Sequence, residues 1–158
     1  MAGDTLNTAI YLKRAAPQIE VDYITRLGRD SFSKRIKSFI ADQFLGTSAI
    51  ETDDDRVPGL YAITTNAQGE RSFSYWRDQS AARHLFQSEN SYSFHYLKDY
   101  DALYLSGITL AILPPSVSMA LLEYLNQSAH ILAFDSNYRP ALWPEQNTAK
   151  SLITEFWK

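Results

Sequence analysis

Residues 102–135 read ALYLSGITLAILPPSVSMALLEYLNQSAHILAFD, and this stretch decides the fold class. Ala102–Leu105 is a short apolar run stopped at Ser106-Gly107. Ile108–Leu113 is apolar again until Pro114-Pro115 breaks the chain. Ser116 or Ser118 then opens a helix through Ala120, Leu121, Tyr124 and Leu125. His130–Phe134 is a second strand, ending at Asp135. Strand, helix and strand at this spacing form a βαβ unit. Leu103–Leu105 and Ile131–Phe134 are therefore expected as parallel neighbours in an α/β fold.

Upstream, the same alternation recurs. Asp4 and Thr5 are helix N-cap candidates, Leu6, Ala9, Ile10 and Lys13 share one stripe, and Pro17 closes the segment. Val21–Leu27 reads as a strand closed by Gly28. Asp30 or Ser31 caps a second helix, whose buried face should carry Phe32, Ile36, Phe39, Ile40 and Phe44, with Gly46 as its stop. The three aspartates at 53–55 read as a solvated loop, with a weak hard-cation site as the minor alternative. Ser80–Gln87 looks like a short helix, and Asn90–Asp101 is aromatic and polar without a clear period. Pro144 and Glu145 open a last helix with Ala149, Leu152, Ile153 and Phe156 on one side.

Between these units lies a hairpin. Leu60–Thr65 and Arg71–Trp76 are strand-like, and Asn66-Ala67-Gln68-Gly69 supplies the turn. Alternation puts Tyr61 and Ile63 on one face of the first strand, and Phe73, Tyr75 and Arg77 on one face of the second. Such a wall is either half-buried on a core with Arg77 at its rim, or a cover for an anionic small molecule. In the second case tyrosines pack on the carbon skeleton and the arginine fork takes a carboxylate or phosphate.

Composition removes several function classes. The chain has 158 residues, enough for one ordinary domain, and a net charge of −3, which excludes a strongly basic nucleic-acid binder. It has no cysteine, hence no disulfide, thiolate metal site or cysteine nucleophile. His84, His95 and His130 lack ligand spacing and read as surface or core-edge residues, so no metal site is assigned. No apolar run approaches the roughly 18 residues that span a bilayer, and the N-terminus lacks signal-peptide order. The expectation is a soluble cytoplasmic protein without membrane or nucleic-acid partners. No dinucleotide fingerprint, Walker-A loop, HExxH or GxSxG occurs.

Ligands of parallel sheets bind beyond the carboxyl ends of the strands. Three polar clusters fall at such positions: Ser106-Gly107, Asp135–Arg139, and Gly3–Asn7 at a helix start. Gly3 permits close approach to backbone amides, Asp4 and Asn7 can bond hydroxyls, and Arg139 can meet an anion. The residues alone thus point to a polyhydroxylated, acidic small molecule under a β-lid.

Gly3-Asp4-Thr5-Leu6-Asn7-Thr8-Ala9, Leu60-Tyr61, Tyr75-Trp76-Arg77, Leu105-Ser106-Gly107-Ile108 and the run from Phe134 to Trp143 resemble the ribokinase-like (PfkB) sugar kinases, in family order and over essentially the whole chain. The Tyr–Arg pair and the run from Asp135 to Trp143 point within that family to its sugar-acid branch. The resemblance implies part of a three-layer α/β/α fold, residues 1–158 being the N-terminal part of one domain with a lid inserted at about 50–77. It implies ATP-dependent phosphorylation of 2-keto-3-deoxygluconate or a similar sugar acid, with Mg2+ bound through the nucleotide. By the same resemblance Gly3, Asp4, Asn7, Tyr61, Tyr75, Arg77 and Arg139 bind substrate, Asn137 and Arg139 face the nucleotide, and the lid pairs copies into a homo-oligomer.

The departures from the family pattern carry expectations too. Ala2-Gly3 stands where the family has two glycines. The first core strand and the second half, with its anion hole and catalytic base, are expected to be missing, so no catalytic residue is assigned and the chain alone should be inactive. The alternatives are a kinase of a neutral sugar such as fructose, and a non-catalytic sugar-acid-binding or pairing module.

Overall fold

The computed structural model describes residues 3–88 and 91–157. The chain runs α1 (Asp4–Ala15), β1 (Thr25–Leu27), α2 (Ser31–Asp42), β2 (Ile50–Thr52), β3 (Leu60–Thr65), β4 (Arg71–Trp76), β5 (Gln87–Ser88), β6 (Ser91–Tyr92), β7 (Ala102–Ser106), α3 (Gly107–Ile112), α4 (Pro115–Asn126), β8 (Ile131–Asp135) and α5 (Gln146–Phe156). Short 3-10 turns occupy Ala81–His84, His95–Asp99 and Pro140–Leu142. Two compact units result, one of residues 1–12 with 86–158 and one of residues 13–85. Ala2 and Asn90, both used in reading the sequence, lie outside the described residues.

In the first unit β7 and β8 are parallel, with Leu103 opposite Leu132 and Leu105 opposite Phe134, as the βαβ reading requires. Two helices rather than one make the crossover. Ser106 caps α3, its Oγ accepting from the Ile108 N–H at 3.2 Å. The helix α4 starts at Pro115, not at Ser116 or Ser118, because the fixed φ of proline suits a first helical position and its missing N–H costs nothing there. Ser118 is instead fully buried. The core gathers Leu6, Ile10, Leu97, Leu105, Leu110, Leu113, Val117, Leu121, Ala149 and Phe156, all buried. Each large aliphatic or aromatic side chain in it stabilises the fold by about 1.5–3 kcal/mol. His130 is a core-edge residue as expected, Nδ1 meeting Ser128 Oγ and Nε2 the Leu97 carbonyl, both at 2.7 Å.

In the second unit β1 and β2 are parallel, Thr25 opposite Ile50 and Leu27 opposite Thr52. The expected strand Val21–Leu27 shrinks to Thr25–Leu27 plus one bridge, Asp22 with Gly46. Asp30 caps α2, its carboxylate accepting from the N–H groups of Phe32 (2.8 Å) and Ser33 (3.1 Å) and from Ser33 Oγ (2.6 Å). The Ser33 hydroxyl, with these N–H groups, holds the Asp30 carboxyl below its ordinary value despite partial desolvation.

The expected apolar face of α2 needs correction at both ends. Phe32 and Phe44 are 66% and 82% exposed, while Ser33, Ile40 and Leu45 are buried. Phe44 takes φ 60. The Leu45 N–H reaches the Ile40 carbonyl and the Phe44 N–H the Ala41 carbonyl, a Schellman ending that sends Leu45 inward and Phe44 outward. Gly46 is not the helix stop; a side chain there would overlap the Asp22 carboxylate.

The hairpin forms as expected, and its register sets Tyr61 opposite Tyr75 and Ile63 opposite Phe73. Asn66 Oδ1 accepts from the N–H groups of Gln68 (3.0 Å) and Glu70 (2.9 Å), and Gly69 takes φ 81. Every residue from 60 to 76 is exposed, so the half-buried alternative is not what forms. Ile50–Thr52, within the stretch the sequence reading counted with the lid, pairs with β1. Among the described residues no helix is long and apolar enough to cross a membrane.

Candidate functional site

The first group of polar residues lies at the carboxyl ends of β7 and β8 and the start of α1. Neither N-cap candidate caps α1, which begins at Asp4 itself and already includes Thr5; the Gly3 carbonyl takes the Asn7 N–H at 2.9 Å. The Asp4 carboxylate has another use. Ser106 Oγ donates to Asp4 Oδ2 at 2.6 Å, and Asn137 Nδ2 donates to the same oxygen at 2.9 Å. Ser106 is completely buried. Asn137 sits at φ 30, where its own N–H bonds Asp135 Oδ1 at 3.0 Å. Gly107 lets this loop close in, since a Cβ there would overlap the Ser136 carbonyl oxygen.

The outcome is a carboxylate with one oxygen saturated and the other able to accept from a ligand hydroxyl. The Asn7 and Arg139 side chains are exposed, and among the described residues neither side chain has a hydrogen-bonding or ionic partner. Asp4, Asn137 and Ser106 are thus brought into contact. Ser106-Gly107 is expected as a polar cluster at a strand end, but not with Ser106 as the donor that holds Asp4.

The second group is on the hairpin. Tyr61 and Tyr75 rings lie 6.1 Å apart, and Phe73 stacks on Tyr75 at 6.2 Å. The Arg77 guanidinium lies 4.2 Å from the Tyr75 ring centroid, a cation–π contact that fixes its direction. Arg77 has no carboxylate partner among the described residues. All three side chains share one face, as alternation predicts. The combination suits an anion attached to a carbon skeleton.

One cluster gave no recognisable signal in the sequence. Asp53 belongs to the aspartate run read as solvated, yet it is 3% exposed. It accepts from the N–H groups of Asp55 (3.1 Å) and Arg56 (2.9 Å), and meets His84 Nδ1 (3.0 Å) and Arg26 Nε (3.1 Å). Burial opposes its ionisation, but these donors and the Arg26 charge outweigh it and hold the carboxyl below its ordinary value. Only Asp54 and Asp55 are exposed, as the loop reading expected. Among the described residues no group of three or more acidic, histidine or cysteine side chains is placed to hold a metal ion.

The chain belongs to the pfkB family of carbohydrate kinases, whose model matches residues 1–157. It is similar to the 2-dehydro-3-deoxygluconokinase of Haemophilus influenzae, 42% identical over 94% of this chain and 49% of the relative. Fructokinase-1 of Oryza sativa subsp. japonica is 26% identical over 85% of this chain and 42% of the relative. The chain spans about half the length of the curated relatives it matches.

Among solved structures, the 2-dehydro-3-deoxygluconokinase of Thermotoga maritima superposes with a TM-score of 0.81 at 21% identity, covering 98% of this chain and 47% of that one. A sugar kinase from Pyrococcus horikoshii in complex with ATP superposes with a TM-score of 0.78 at 19% identity, covering 98% and 49%. The fold is therefore the ribokinase-like α/β fold over about half its length, as the resemblance implied.

Proposed function

We propose that this chain carries the sugar-acid-recognising part of an ATP-dependent kinase that phosphorylates 2-keto-3-deoxygluconate to its 6-phosphate. The observation that supports this most is Arg77, a cation held at 4.2 Å over the Tyr75 ring, with no carboxylate partner among the described residues. Its planar fork suits a substrate carboxylate, and a neutral ketose offers nothing that needs it. Tyr61 and Tyr75 pack on the carbon skeleton. Gly3, Asp4 and Asn7 bond the hydroxyls, the free oxygen of Asp4 acting as acceptor.

Arg139 follows β8, where its exposed guanidinium fits the phosphates of ATP, and Asn137 stands beside it on the nucleotide side. When bound, Mg2+ travels on the nucleotide and neutralises charge on the transferring phosphoryl group. Transfer forms a bond from the sugar 6-oxygen to the γ-phosphorus, breaks the bond to the β–γ bridging oxygen, and sends the hydroxyl proton to a base. None of the described residues is assigned as that base. The residues present orient the acceptor. Leu60, Ile63 and Trp76, 63%, 50% and 61% exposed, support pairing between copies through the hairpin. Use of ATP supports a cytoplasmic location.

The test is coupled ADP release by the full-length kinase containing this chain, with 2-keto-3-deoxygluconate against fructose. Strong preference for the sugar acid is expected. Equal or faster turnover of fructose overturns the assignment in favour of a fructokinase. The 158 residues alone are expected to release no ADP, and calorimetry with the sugar acid then separates binding from catalysis.

A further inference from the structure

The hairpin between residues 60 and 76 is exposed along its whole length. Its direction is therefore set where the chain leaves for it and returns from it. The outgoing side runs from β2 through Asp53 to Gly59, and the returning side from Arg77 to His84. A backbone bond ties them, from the Ala81 N–H to the Val57 carbonyl at 2.9 Å. The stronger tie is a cluster of charges. Buried Asp53, on the outgoing side, meets His84 Nδ1 on the returning side at 3.0 Å. Arg26 of β1 anchors both: its Nε lies 3.1 Å from Asp53 Oδ2, and its Nη1 donates to the His84 carbonyl at 3.0 Å. Glu51 of β2 steadies Arg26 from the other side at 3.5 Å. The Asp53 carboxylate also takes the N–H groups of Asp55 and Arg56, which turns the chain toward the hairpin.

We infer that Asp53 is a positioning residue for the lid: through Arg26 and His84 it clamps the hairpin stem to the β1–β2 pair and so aims Arg77 at the substrate carboxylate. Asp53 touches no substrate itself. The inference rests on the functional reading above only where it names the ligand of Arg77. A buried carboxylate with several donors holds one geometry, whereas a surface ion pair does not. Removing its charge takes one carboxylate away from Arg26 and loosens the His84 ring.

The experiment uses the full-length kinase containing this chain and reads two properties. In the first, Asp53→Asn is expected to raise the sugar-acid KM about tenfold, with kcat and the ATP KM within about twofold, because only carboxylate capture is misaligned. In an Arg77→Ala background the same change should add less than about twofold, since the carboxylate contact that needs the most exact aim is already gone. A rise in the ATP KM equal to that for the sugar acid, or the full tenfold loss without Arg77, overturns the inference.

The second property needs no turnover. The 158 residues contain no cysteine, so Gln68→Cys in a cysteine-free background puts one spin label on the hairpin tip. Asp53→Asn should sharpen its spectrum, and an unchanged spectrum overturns the inference. If Asp53→Asn does not fold, His84→Gln replaces it, with an expected rise of about threefold in the sugar-acid KM and a smaller sharpening; no change in either readout is then decisive against the clamp. A wild-type protein that phosphorylates no sugar acid removes the functional reading, while the label still decides the role of Asp53.

Discussion

The Asp4 cluster and the hairpin face both gather polar and aromatic side chains proposed to meet a small ligand, but they are held in opposite ways. Asp4 is fixed by a completely buried serine and by an asparagine in a left-handed loop, with Gly107 packed against the backbone of Ser136. The Arg77 face is exposed, and its members touch mainly one another through rings 6.1 to 6.3 Å apart. The first arrangement is written into the fold, so disturbing it must cost stability and binding together. The second is tied down only at its stem, so its functional side chains should be removable with little cost to the fold. A buried hydrogen-bond network is expensive to break because its members are left unsatisfied, whereas an exposed side chain returns to water.

The largest expected effect breaks the buried side of this contrast. Gly107→Ala forces a Cβ into the Ser136 carbonyl and should destabilise the protein by about 3 kcal/mol, since backbone rather than a flexible side chain must give way. Urea denaturation checks it; a loss below about 0.5 kcal/mol would show the loop to be as free as the hairpin. Next comes the hairpin stem. Asp53→Asn should cost about 2 kcal/mol at neutral pH. The folded-state pKa of Asp53 is depressed, so its contribution is present above the ordinary value of 3.8 and is lost as pH falls through the lower folded value. The stability difference between wild type and Asp53→Asn should therefore shrink below about pH 4. A gap that stays constant down to acid pH removes the charge from the explanation.

Smaller still, and confined to function, is Arg77→Ala in the full-length kinase. It should raise the sugar-acid KM roughly tenfold, about 1.4 kcal/mol, with the ATP KM and the denaturation midpoint unchanged. Parallel losses for both ligands would show that Arg77 does not hold the carboxylate.

How much of this could be read beforehand follows the same division. The strands β7 and β8, the hairpin and the faces on which Tyr61, Tyr75 and Arg77 lie follow from local periodicity, which the chain carries residue by residue. So does Asp30 as a cap. What could not be read depends on contacts distant in sequence. Ser106 and Asp4 are 102 positions apart, and no local pattern announces their bond. Asp53 looks like its two solvated neighbours, because burial by Arg26 and His84 is decided by chain segments on either side of the hairpin. The ends of α2 were misread for a subtler reason. A helical stripe assigns Phe32 and Phe44 to the core, but Asp30 draws Ser33 inward at one end and the Schellman turn swaps Phe44 for Leu45 at the other.

The gentlest substitution sharpens the comparison most, because it repeats the Gly107 change where nothing is packed. Gly69 takes φ 81, and a Cβ there meets nothing within 4 Å. Gly69→Ala therefore carries no steric collision, only the cost of a left-handed backbone, about 1 kcal/mol. That cost falls on a hairpin whose residues are all exposed, so it should appear as faster hydrogen exchange of the β3–β4 amides with little change in the global midpoint. If Gly69→Ala instead lowers global stability as far as Gly107→Ala does, the hairpin is part of the cooperative core, and the Arg77 face is held by the fold rather than by its stem.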